Sequence, residues 1–384
     1  MEGIDIMDGH KKLLVSKKER KDEFYTQLSD IEIELRHYKH HFKDKVVLCN
    51  CDDPYESNFF KYFALNFNSL GLKKLIVTGY TTSPVLGNEL DVWTKEESPI
   101  PTRTPYVAYI NEVIDLNGDG RIDLEDVKIL LTEKHNCRRK LYGEVVYDNG
   151  KRIEYPAGDF RSSQCVKLLE QADIVCTNPP FSLFRVYVPQ LMKFNKKFII
   201  LGNPNALTYK EIFPLIQDNK LWLGNKSMGT DMLFDVPSYY AEDLIKNKKE
   251  GSAYKIVNGI VKGRTQAIWF TNLDIFKRHE VLVFYKKYNS EDYPKYDNYD
   301  AINVNKVADI PYDYDGVMGV PISFLDKYNP EQFEILNFWN NGAAGEKVGA
   351  KKIKILSSGK QLLWNGPVVN GKATYFRVLI QKKH

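Results

Sequence analysis

Two adjacent prolines directly after an apolar run set the tightest local constraint on this chain. They lie in residues 173–184, DIVCTNPPFSLF, within the tetrapeptide Asn178-Pro179-Pro180-Phe181. Consecutive prolines cannot continue a sheet ladder or a helix interior, and the first proline favours an extended conformation at Asn178. The sequence therefore predicts a buried strand that ends by presenting an amide, a rigid turn and an aromatic ring. In open α/β sheets, ligands bind at this carboxyl end of the strands.

The chemistry of this tetrapeptide suits an exocyclic amine. The Asn178 side-chain oxygen and the Pro179 carbonyl can each accept one hydrogen from an NH2 group, which turns the nitrogen lone pair towards an electrophile. The Phe181 ring offers a face on which a planar base can stack. The alternative is a simple strand-ending turn, since Asn-Pro is a common turn signal. The position directly after a buried strand headed by Asp173 favours the functional interpretation.

At these residues the chain resembles the amino-methyltransferases that use S-adenosylmethionine, whose fourth motif reads Asp/Asn/Ser-Pro-Pro-Tyr/Phe. More narrowly, it resembles the EcoRI-type DNA adenine-N6 methyltransferase family, over stretches that span most of the chain. The resemblance implies an α/β, Rossmann-like methyltransferase fold, with a mostly parallel seven-stranded sheet and an antiparallel end strand. It also implies methyl transfer from S-adenosylmethionine to adenine N6 of a flipped base in duplex DNA. The catalytic residues would then be Asn178, Pro179, Pro180 and Phe181.

Composition is that of an ordinary globular protein. The 384 residues are 43% apolar and 27% charged, and the net charge is only +4, so bulk charge does not identify a polyanion binder. Basic residues do cluster at 11–21, 137–140, 246–249 and 347–354, and local clusters are what contact phosphates. A solvated surface explains each single cluster equally well.

Cysteine usage and hydropathy predict a cytoplasmic protein. The five cysteines show no disulfide-like pattern, which indicates a reducing compartment. No apolar run is long enough to span a membrane, and the charged N-terminus has no signal-peptide core.

An amphipathic helix is predicted over 27–42, where apolar residues recur at spacings of three and four. Thr26 is placed to be its N-cap. The free N–H groups of a helix N-terminus can hold an anion. The family resemblance implies that Tyr25 and Thr26 line the site for the carboxylate end of the cofactor, and an ordinary packed helix is the alternative.

Residues 46–54, VVLCNCDDP, predict a buried strand followed by a turn, which is where a nucleotide-like cofactor sits in this class of fold. Most methyltransferases have a glycine-rich turn here, and this chain has none. The EcoRI-type family has an Asp-Pro-Tyr turn at this place. The resemblance therefore assigns Asn50, Asp52 and Pro54 to the cofactor site, with a contribution from the Cys49 backbone.

The second strand is predicted in KKLIVTGY, residues 73–80. In the wider superfamily an acid at the end of this strand holds the ribose hydroxyls. Here Thr78 is followed by no acid until Glu89, so the ribose contact is unassigned, and Asp52 or Asp53 could substitute.

Residues 81–158 are predicted to be an insertion, and they contain a pattern of the EF-hand calcium loop at 115–126. A helical pattern follows at 126–134, as an exiting helix should. The last ligand position holds an aspartate in place of the usual bidentate glutamate. The alternative is an acidic loop of Asx turns that holds no metal. The predicted ligands of a structural Ca²⁺ are Asp115, Asn117, Asp119, Asp123, Asp126 and the backbone carbonyl of Arg121.

Asp159 and Phe160 precede the catalytic strand and resemble the third motif of adenine methyltransferases. The resemblance implies that the acid accepts from the adenine amino group of the cofactor and that the ring packs beside it. The alternative role for Asp159 is to be the N-cap of a helix over 162–171, and one residue can do both.

Further strands are predicted at 196–207, 220–225 and 266–273, and the last two could form the antiparallel ending of the sheet. Residues 286–320 are rich in Tyr, Asp and Asn and predict a linker or an extended loop. The stretch 320–336 again resembles the EcoRI-type family, in which the C-terminal portion helps to recognise DNA.

The predicted organisation has an N-terminal arm and cofactor-site helix at 1–45, a catalytic domain at 46–285 and a smaller DNA-recognition portion at 286–384. Double-stranded DNA is the expected partner, and a cognate restriction endonuclease is a second one. Two rival functions stay open. The tetrapeptide also serves methylation of RNA, protein glutamine or cytosine N4, and the missing glycines would suit a non-catalytic DNA-binding module with a degenerate cofactor pocket.

Overall fold

The computed structural model describes residues 26–51, 57–79, 105–132, 139–236, 238–247, 250–357 and 360–383. Its helices are α1 (Leu28–Leu35), α2 (Asn58–Leu65), α3 (Phe67–Leu70), α4 (Leu124–Thr132), α5 (Ser163–Gln171), α6 (Phe184–Lys193), α7 (Phe213–Gln217), α8 (Ser238–Lys246) and α9 (Ala343–Lys347). Its first strands are β1 (Val46–Asn50), β2 (Lys74–Thr78), β3 (Tyr106–Ile110), β4 (Arg139–Lys140), β5 (Glu144–Asp148), β6 (Lys151–Tyr155), β7 (Ile174–Thr177), β8 (Lys197–Gly202), β9 (Trp222–Leu223), β10 (Met232–Asp235) and β11 (Tyr254–Val257). The others are β12 (Ile260–Thr265), β13 (Ile268–Thr271), β14 (Lys295–Tyr296), β15 (Tyr299–Asn303), β16 (Met318–Val320), β17 (Phe333–Trp339), β18 (Ile353–Ser357), β19 (Lys360–Trp364), β20 (Val368–Val369), β21 (Lys372–Ala373) and β22 (Arg377–Lys382).

Two compact units make up the chain. One comprises Met1–Pro204 and Gly229–Leu273, and the other comprises Asn205–Met228 and Asp274–His384. In the first unit, the strands of a large mixed sheet follow the order β4-β3-β2-β1-β7-β8-β13. The four strands β2, β1, β7 and β8 are parallel neighbours, whereas β3 and β13 run antiparallel to β2 and β8. The α/β class predicted from the sequence is confirmed.

The four parallel strands form because each is a short, nearly continuous apolar run. Almost every residue of β1, β2, β7 and β8 is buried, as expected when helices cover both faces of a parallel sheet. Helix α2 packs on this sheet through Phe59, whose ring meets Trp269 edge-on at 5.8 Å. At the amino end of β7, the Asp173 carboxylate accepts from the backbone N–H of Val46 at 2.8 Å. Asp173 therefore joins the starts of β1 and β7, and it lies at the end of the sheet opposite to Asn178.

The predicted insertion contributes to the sheet, which the sequence did not indicate. Residues 106–110 form β3, which pairs antiparallel with β2 over four residue pairs. Strand β4 pairs in turn with β3. The parallel strands are therefore flanked by antiparallel partners on both sides.

The second unit contains a sheet with the order β14-β15-β16-β22-β17. Trp339 on β17 is fully buried, and its ring lies 4.7 Å from Tyr296 and 5.2 Å from Tyr299. The prediction of a linker or extended loop at 286–320 is wrong for β14, β15 and β16, which join this sheet, because tyrosines there supply the apolar surface that aliphatic residues supply elsewhere.

The predicted N-terminal helix is shorter than the 27–42 pattern. It spans Leu28–Leu35 and continues as a 3-10 turn over Arg36–His41. The N-cap is Gln27 without a side-chain cap, so the prediction of Thr26 as N-cap is wrong. Thr26 is buried, and its carbonyl accepts from the Asn58 side chain at 2.8 Å. That contact ties the start of α1 to the start of α2.

Candidate active site

The carboxyl ends of three neighbouring parallel strands meet at one edge of the sheet. Asn50 ends β1 and is paired in register with Thr78, which ends β2. On the other side, Leu48 of β1 is paired with Val175 of β7, so β7 ends beside Asn50 and leads into Asn178. The fold therefore brings together two predicted site residues, Asn50 and Asn178, that are far apart in sequence.

The tetrapeptide leaves the sheet and turns at once into a helix. Asn178 is 5% exposed and Pro179 is buried, whereas Pro180 and Phe181 are half-buried. Pro180 precedes a 3-10 turn at Phe181–Leu183, and α6 begins at the next residue. The buried amide of Asn178 is followed, after the two prolines, by the partly accessible ring of Phe181. A site for a planar base needs such a ring.

A hydroxyl joins the ends of β1 and β7. The Thr177 side chain is fully buried and donates to the backbone carbonyl of Asn50. Sequence reasoning did not single out Thr177. The available signal was a hydroxyl at the end of an otherwise apolar buried run, where it must find a partner.

Tyr187 on α6 holds two of the predicted cofactor residues. Its hydroxyl donates to the side-chain oxygen of Asn50, and its ring meets Phe160 edge-on at 4.9 Å. Tyr187 is only 1% exposed. The contact occupies the acceptor of Asn50 and leaves its NH2 as the group available to a ligand. The role of Tyr187 could not be predicted from the sequence. Tyr187 lies on the buried face of α6, where its pattern is that of a core residue.

We call Asn50, Thr177, Asn178 and Tyr187 the strand-end cluster. It spans two strand ends and the first turn of α6, and two side-chain hydrogen bonds link Asn50 to Thr177 and to Tyr187.

Asp159 is engaged by a neighbouring arginine. Its carboxylate accepts from Arg161 through Nε at 2.9 Å and through Nη2 at 2.6 Å. This pairing raises the pKa of the Arg161 guanidinium above its ordinary value. The N-cap of the following helix is Ser162, which accepts from the Cys165 N–H at 3.3 Å, so the alternative role of Asp159 as that N-cap is wrong. Two oxygens and their several lone pairs leave Asp159 capacity for a further donor.

The residue directly after β1 has a backbone conformation that favours glycine. Cys51 has a φ of 73°, in the left-handed region, which costs an L-residue about 1–2 kcal/mol. Cys49, two residues earlier and within β1, is fully buried in the core. The predicted site residues Tyr25, Asp52 and Pro54 lie outside the described residues.

Thr78 ends β2, the strand whose end holds the ribose hydroxyls in the wider superfamily. Its hydroxyl is buried, with the residue 1% exposed, and it has no hydrogen-bond partner among the described residues. Buried hydroxyls normally find a partner in proteins. An orphaned hydroxyl beside Asn50 fits a polar ligand at this edge of the sheet.

The predicted calcium loop at 115–126, here called the acidic loop, is closed by its own backbone. Asp126 is fully buried, and its carboxylate accepts N–H bonds from Leu116, Asn117 and Asp123 at 2.7–3.2 Å. These donors, Asp123 first, lower the pKa of Asp126. The exiting helix is present as α4 at Leu124–Thr132.

The remaining oxygens of the acidic loop also accept from nearby N–H groups. Asp115 accepts from Gly118 and Gly120, and the other predicted side-chain ligands each accept one such bond. Within the described ranges, no group of three or more His, Cys, Asp or Glu is arranged to hold a metal ion.

Comparison with known proteins decides the reaction class. The family model of the adenine-specific methyltransferase EcoRI matches residues 12–383. The chain belongs to this family. It is therefore a DNA adenine methyltransferase, and its use of S-adenosylmethionine follows from the family.

Curated relatives match over almost their whole length. The chain is 42% identical to the Type II methyltransferase M.EcoRI of Escherichia coli, over 97% of each chain. It is 35% identical to the Type II methyltransferase M.MpnI of Mycoplasma pneumoniae, over 96% of this chain and 97% of the relative. A third relative, the Type II methyltransferase M.MgeORF184P of Mycoplasma genitalium, is 34% identical over 96% of this chain and 98% of its own. No solved structure gives a significant match.

No helix in the described part of the chain combines the length and the apolar character needed to cross a membrane.

Proposed function

We propose that this chain is a site-specific methyltransferase that acts on N6 of an adenine flipped out of duplex DNA. The observation that carries the proposal is the tetrapeptide Asn178-Pro179-Pro180-Phe181 at the end of buried strand β7, beside Asn50 at the end of β1. The family match supplies the reaction class, and this edge of the sheet supplies acceptors and a ring suited to an aminopurine.

Asn178 and Pro179 orient the amine. The adenine NH2 donates one hydrogen to the Asn178 side-chain oxygen and one to the Pro179 carbonyl, which directs the nitrogen lone pair away from both. S-adenosylmethionine, when bound, supplies an electrophilic methyl group. As the adenine nitrogen forms the new C–N bond, the methyl–sulfur bond would break and S-adenosylhomocysteine would be left as the product. The methylated nitrogen then releases a proton to solvent, so this mechanism needs no general base. Positioning of this kind can contribute about 7–11 kcal/mol.

Phe181 stacks on the flipped base. N6 is occupied by pairing inside a duplex, so the adenine must leave the stack before Asn178 can reach it. Phe181 is half-buried, which leaves part of its ring available for the base. Stacking on an aromatic side chain contributes about 1–3 kcal/mol per base.

The strand ends hold the cofactor. In the described part of the chain, the residues assigned to it are Thr26, Asn50, Asp159, Phe160 and Asn178, with the Cys49 backbone. The parallel order β2-β1-β7-β8 supports the Rossmann-like arrangement, in which a nucleotide lies at these strand ends. The unpartnered Thr78 hydroxyl and the NH2 of Asn50 are two donors that a bound adenosine group can use.

Tyr187 is a positioning residue for that site. It fixes the orientation of the Asn50 amide through its hydroxyl and supports the Phe160 ring through its edge. Neither role requires contact with the cofactor, so the effect of Tyr187 passes through Asn50 and Phe160.

A restriction–modification system is the biological setting we propose. The relatives are named Type II methyltransferases, which supports a cognate restriction endonuclease as a partner for this chain too. The C-terminal portion at 286–384 is proposed to recognise DNA. A DNA substrate is also consistent with the predicted cytoplasmic location.

Calcium binding by the acidic loop stays a prediction. Its oxygen ligands are of the right chemical type, but the Asp126 carboxylate already accepts three backbone N–H bonds, with which a bound ion would compete. Thermal unfolding with added Ca²⁺ tests the prediction. A rise in Tm that Asp115→Ala removes would support it, and an unchanged Tm would refute it.

Methyl transfer to alternative acceptors tests the proposed function. Purified protein and radiolabelled S-adenosylmethionine are offered duplex DNA, RNA and bacterial protein, and modified nucleosides are identified by mass spectrometry. We expect N6-methyladenine in DNA and a single sequence motif around it. Label in N4-methylcytosine, RNA or glutamine would favour the other amino-methyltransferases. Absence of both label and S-adenosylhomocysteine binding would favour a non-catalytic module.

A further inference from the structure

The C-terminal end of the chain has a charge unlike that of the rest. Residues 347–384 contain nine of the 54 Lys and Arg and none of the 50 Asp and Glu. The net charge of +4 for the whole chain conceals this concentration. A local excess of cations is what contacts a polyanion.

Within this basic segment, β18 and β19 form a two-stranded ribbon. The strands pair antiparallel, with Lys354 opposite Leu363 and Leu356 opposite Gln361. Residues directly opposite each other project from the same face of a ribbon. These four side chains therefore share one face, which we call the outer face.

The outer face is exposed although half of it is apolar. Leu356 is 73% exposed and Leu363 is 62% exposed, and Lys354 and Gln361 are exposed too. On the opposite face Ile355 is 3% exposed, and its cross-strand partner Leu362 is 42% exposed. Two neighbouring leucines held in water on a rigid ribbon indicate a surface that something covers.

On the other exposed hairpins, several cations form ion pairs with acids. On β6, Arg152 pairs with Glu154, and in the sheet of β10, β11 and β12, Lys262 pairs with Asp235 and Lys255 with Asp231. No described acid forms an ion pair with Lys354 or Lys360 on the β18–β19 ribbon. This ribbon alone among those compared combines exposed leucines with unneutralised lysines.

We propose that the outer face of the β18–β19 ribbon docks in the major groove of the substrate DNA. The proposal rests on the proposed function, which makes duplex DNA the substrate. The major groove of B-DNA admits a two-stranded ribbon. Lys354 contacts a phosphate, Gln361 pairs with the N6 and N7 edge of an adenine, and Leu356 and Leu363 lie against thymine methyl groups. The face therefore reads A·T pairs of the bound duplex.

The positive charge of the ribbon makes a second copy of the chain a poorer partner for the outer face than DNA. Two such ribbons facing each other would oppose lysine to lysine with no acid in either segment. Phosphates supply the missing negative charge. DNA thus offers thymine methyl groups to the leucines of the outer face and phosphates to its lysine.

Three variants of the outer face test the proposal: Gln361→Ala, Lys354→Gln and the double variant Leu356→Ser/Leu363→Ser. The matched control is Val257→Ser/Ile260→Ser on the β11–β12 hairpin, where the two residues lie opposite each other on one face and are 37% and 57% exposed. Binding is measured by fluorescence anisotropy at several salt concentrations, on a duplex carrying the motif that wild-type protein methylates. Tm and S-adenosylhomocysteine affinity confirm that each variant is folded.

Each variant has its own expected result. Gln361→Ala should relax the methylation motif at one A·T position, with about tenfold or greater loss of discrimination there. Lys354→Gln should reduce the slope of log affinity against log salt by about one unit. The double leucine variant should weaken DNA binding about tenfold, and the control should bind as wild type does.

Two outcomes would overturn the proposal. One is that all three variants keep wild-type affinity, salt slope and motif. The other is that sedimentation shows a wild-type dimer which Leu356→Ser/Leu363→Ser dissociates while DNA binding is unchanged. Neither outcome affects the proposed function, which fails separately if the wild-type protein places no N6-methyladenine in DNA.

Discussion

The strand-end cluster and the acidic loop differ in how their polar groups are satisfied. In the strand-end cluster, Asn50 is held by Thr177 and by Tyr187, across 127 and 137 residues of sequence. In the acidic loop, Asp126 accepts from N–H groups that lie no more than ten residues away. The strand-end cluster therefore depends on the whole fold, whereas the hydrogen bonds of Asp126 are all made within the acidic loop.

The comparison shows that the specificity of a sequence motif does not by itself identify a functional site. The acidic loop matches a ligand pattern at every spacing, yet in the structure the backbone uses those oxygens. The strand-end cluster rests on a shorter motif, yet the fold adds the partners that a site needs. Long-range support, rather than the specificity of the pattern, distinguishes the region to which we assign chemistry.

A large effect is expected at Phe181, within the tetrapeptide that continues the strand-end cluster. Replacing Phe181 by Ala removes the stacking surface for the flipped base, and we expect kcat/KM for DNA to fall about 10- to 100-fold. Phe181→Tyr keeps the ring and should stay within about threefold of wild type. Steady-state methylation of a defined duplex measures both, and equal losses in the two variants would contradict a stacking role.

A smaller effect is expected at Tyr187, and it tests whether the cluster acts as a unit. Tyr187→Phe removes one hydrogen bond to Asn50, so we expect S-adenosylhomocysteine to bind about two- to tenfold more weakly by calorimetry. Tyr296→Phe is the matched control, because that buried hydroxyl also donates to an asparagine oxygen, Asn303, at 2.9 Å. Both variants should lower Tm. If they also weaken cofactor binding equally, Tyr187 has only a structural role.

The smallest effect on activity is expected in the acidic loop. Asp126→Asn should lower Tm at neutral pH while methyl transfer stays at the wild-type rate, because the loop serves stability. The pKa of Asp126 is lowered in the folded protein, so its stabilisation is present above the unfolded-state pKa of about 3.9 and is lost as the pH falls through the folded-state value. The Tm difference between variant and wild type should therefore shrink in acid.

The control for the acidic loop is Asp119→Asn, since Asp119 is exposed and accepts one N–H bond. We expect its Tm to stay closer to the wild-type value at every pH. A loss of methylation in Asp126→Asn with unchanged Tm would contradict the division between the two regions.

Much of the sheet could be predicted from the sequence, for a physical reason. Strands β1, β7 and β8 are buried on both faces, so each reads as a continuous apolar run. The tetrapeptide could be predicted too, because two prolines act locally. Element ends were less predictable, as the helix at Leu28–Leu35 shows, since capping depends on which neighbour the chain meets.

The rest could not be predicted because it depends on contacts between distant residues. Nothing near Tyr187 in the sequence indicates that its hydroxyl reaches Asn50. The second unit was read as partly linker because its apolar surface comes from tyrosines such as Tyr296 and Tyr299, whose packing on Trp339 appears only in the folded chain. The pairing of β3 with β2 is likewise a long-range event.

The most direct test of the account measures chemistry and cofactor binding on one variant, Asn178→Ala. Asn203→Ala is the matched control, because Asn203 also precedes a proline directly after a buried parallel strand. The account predicts that Asn178→Ala forms N6-methyladenine about 100-fold more slowly or worse, while S-adenosylhomocysteine affinity changes by less than about tenfold. The control should keep both properties. Wild-type methylation by Asn178→Ala would contradict the claim that this amide positions the adenine amine.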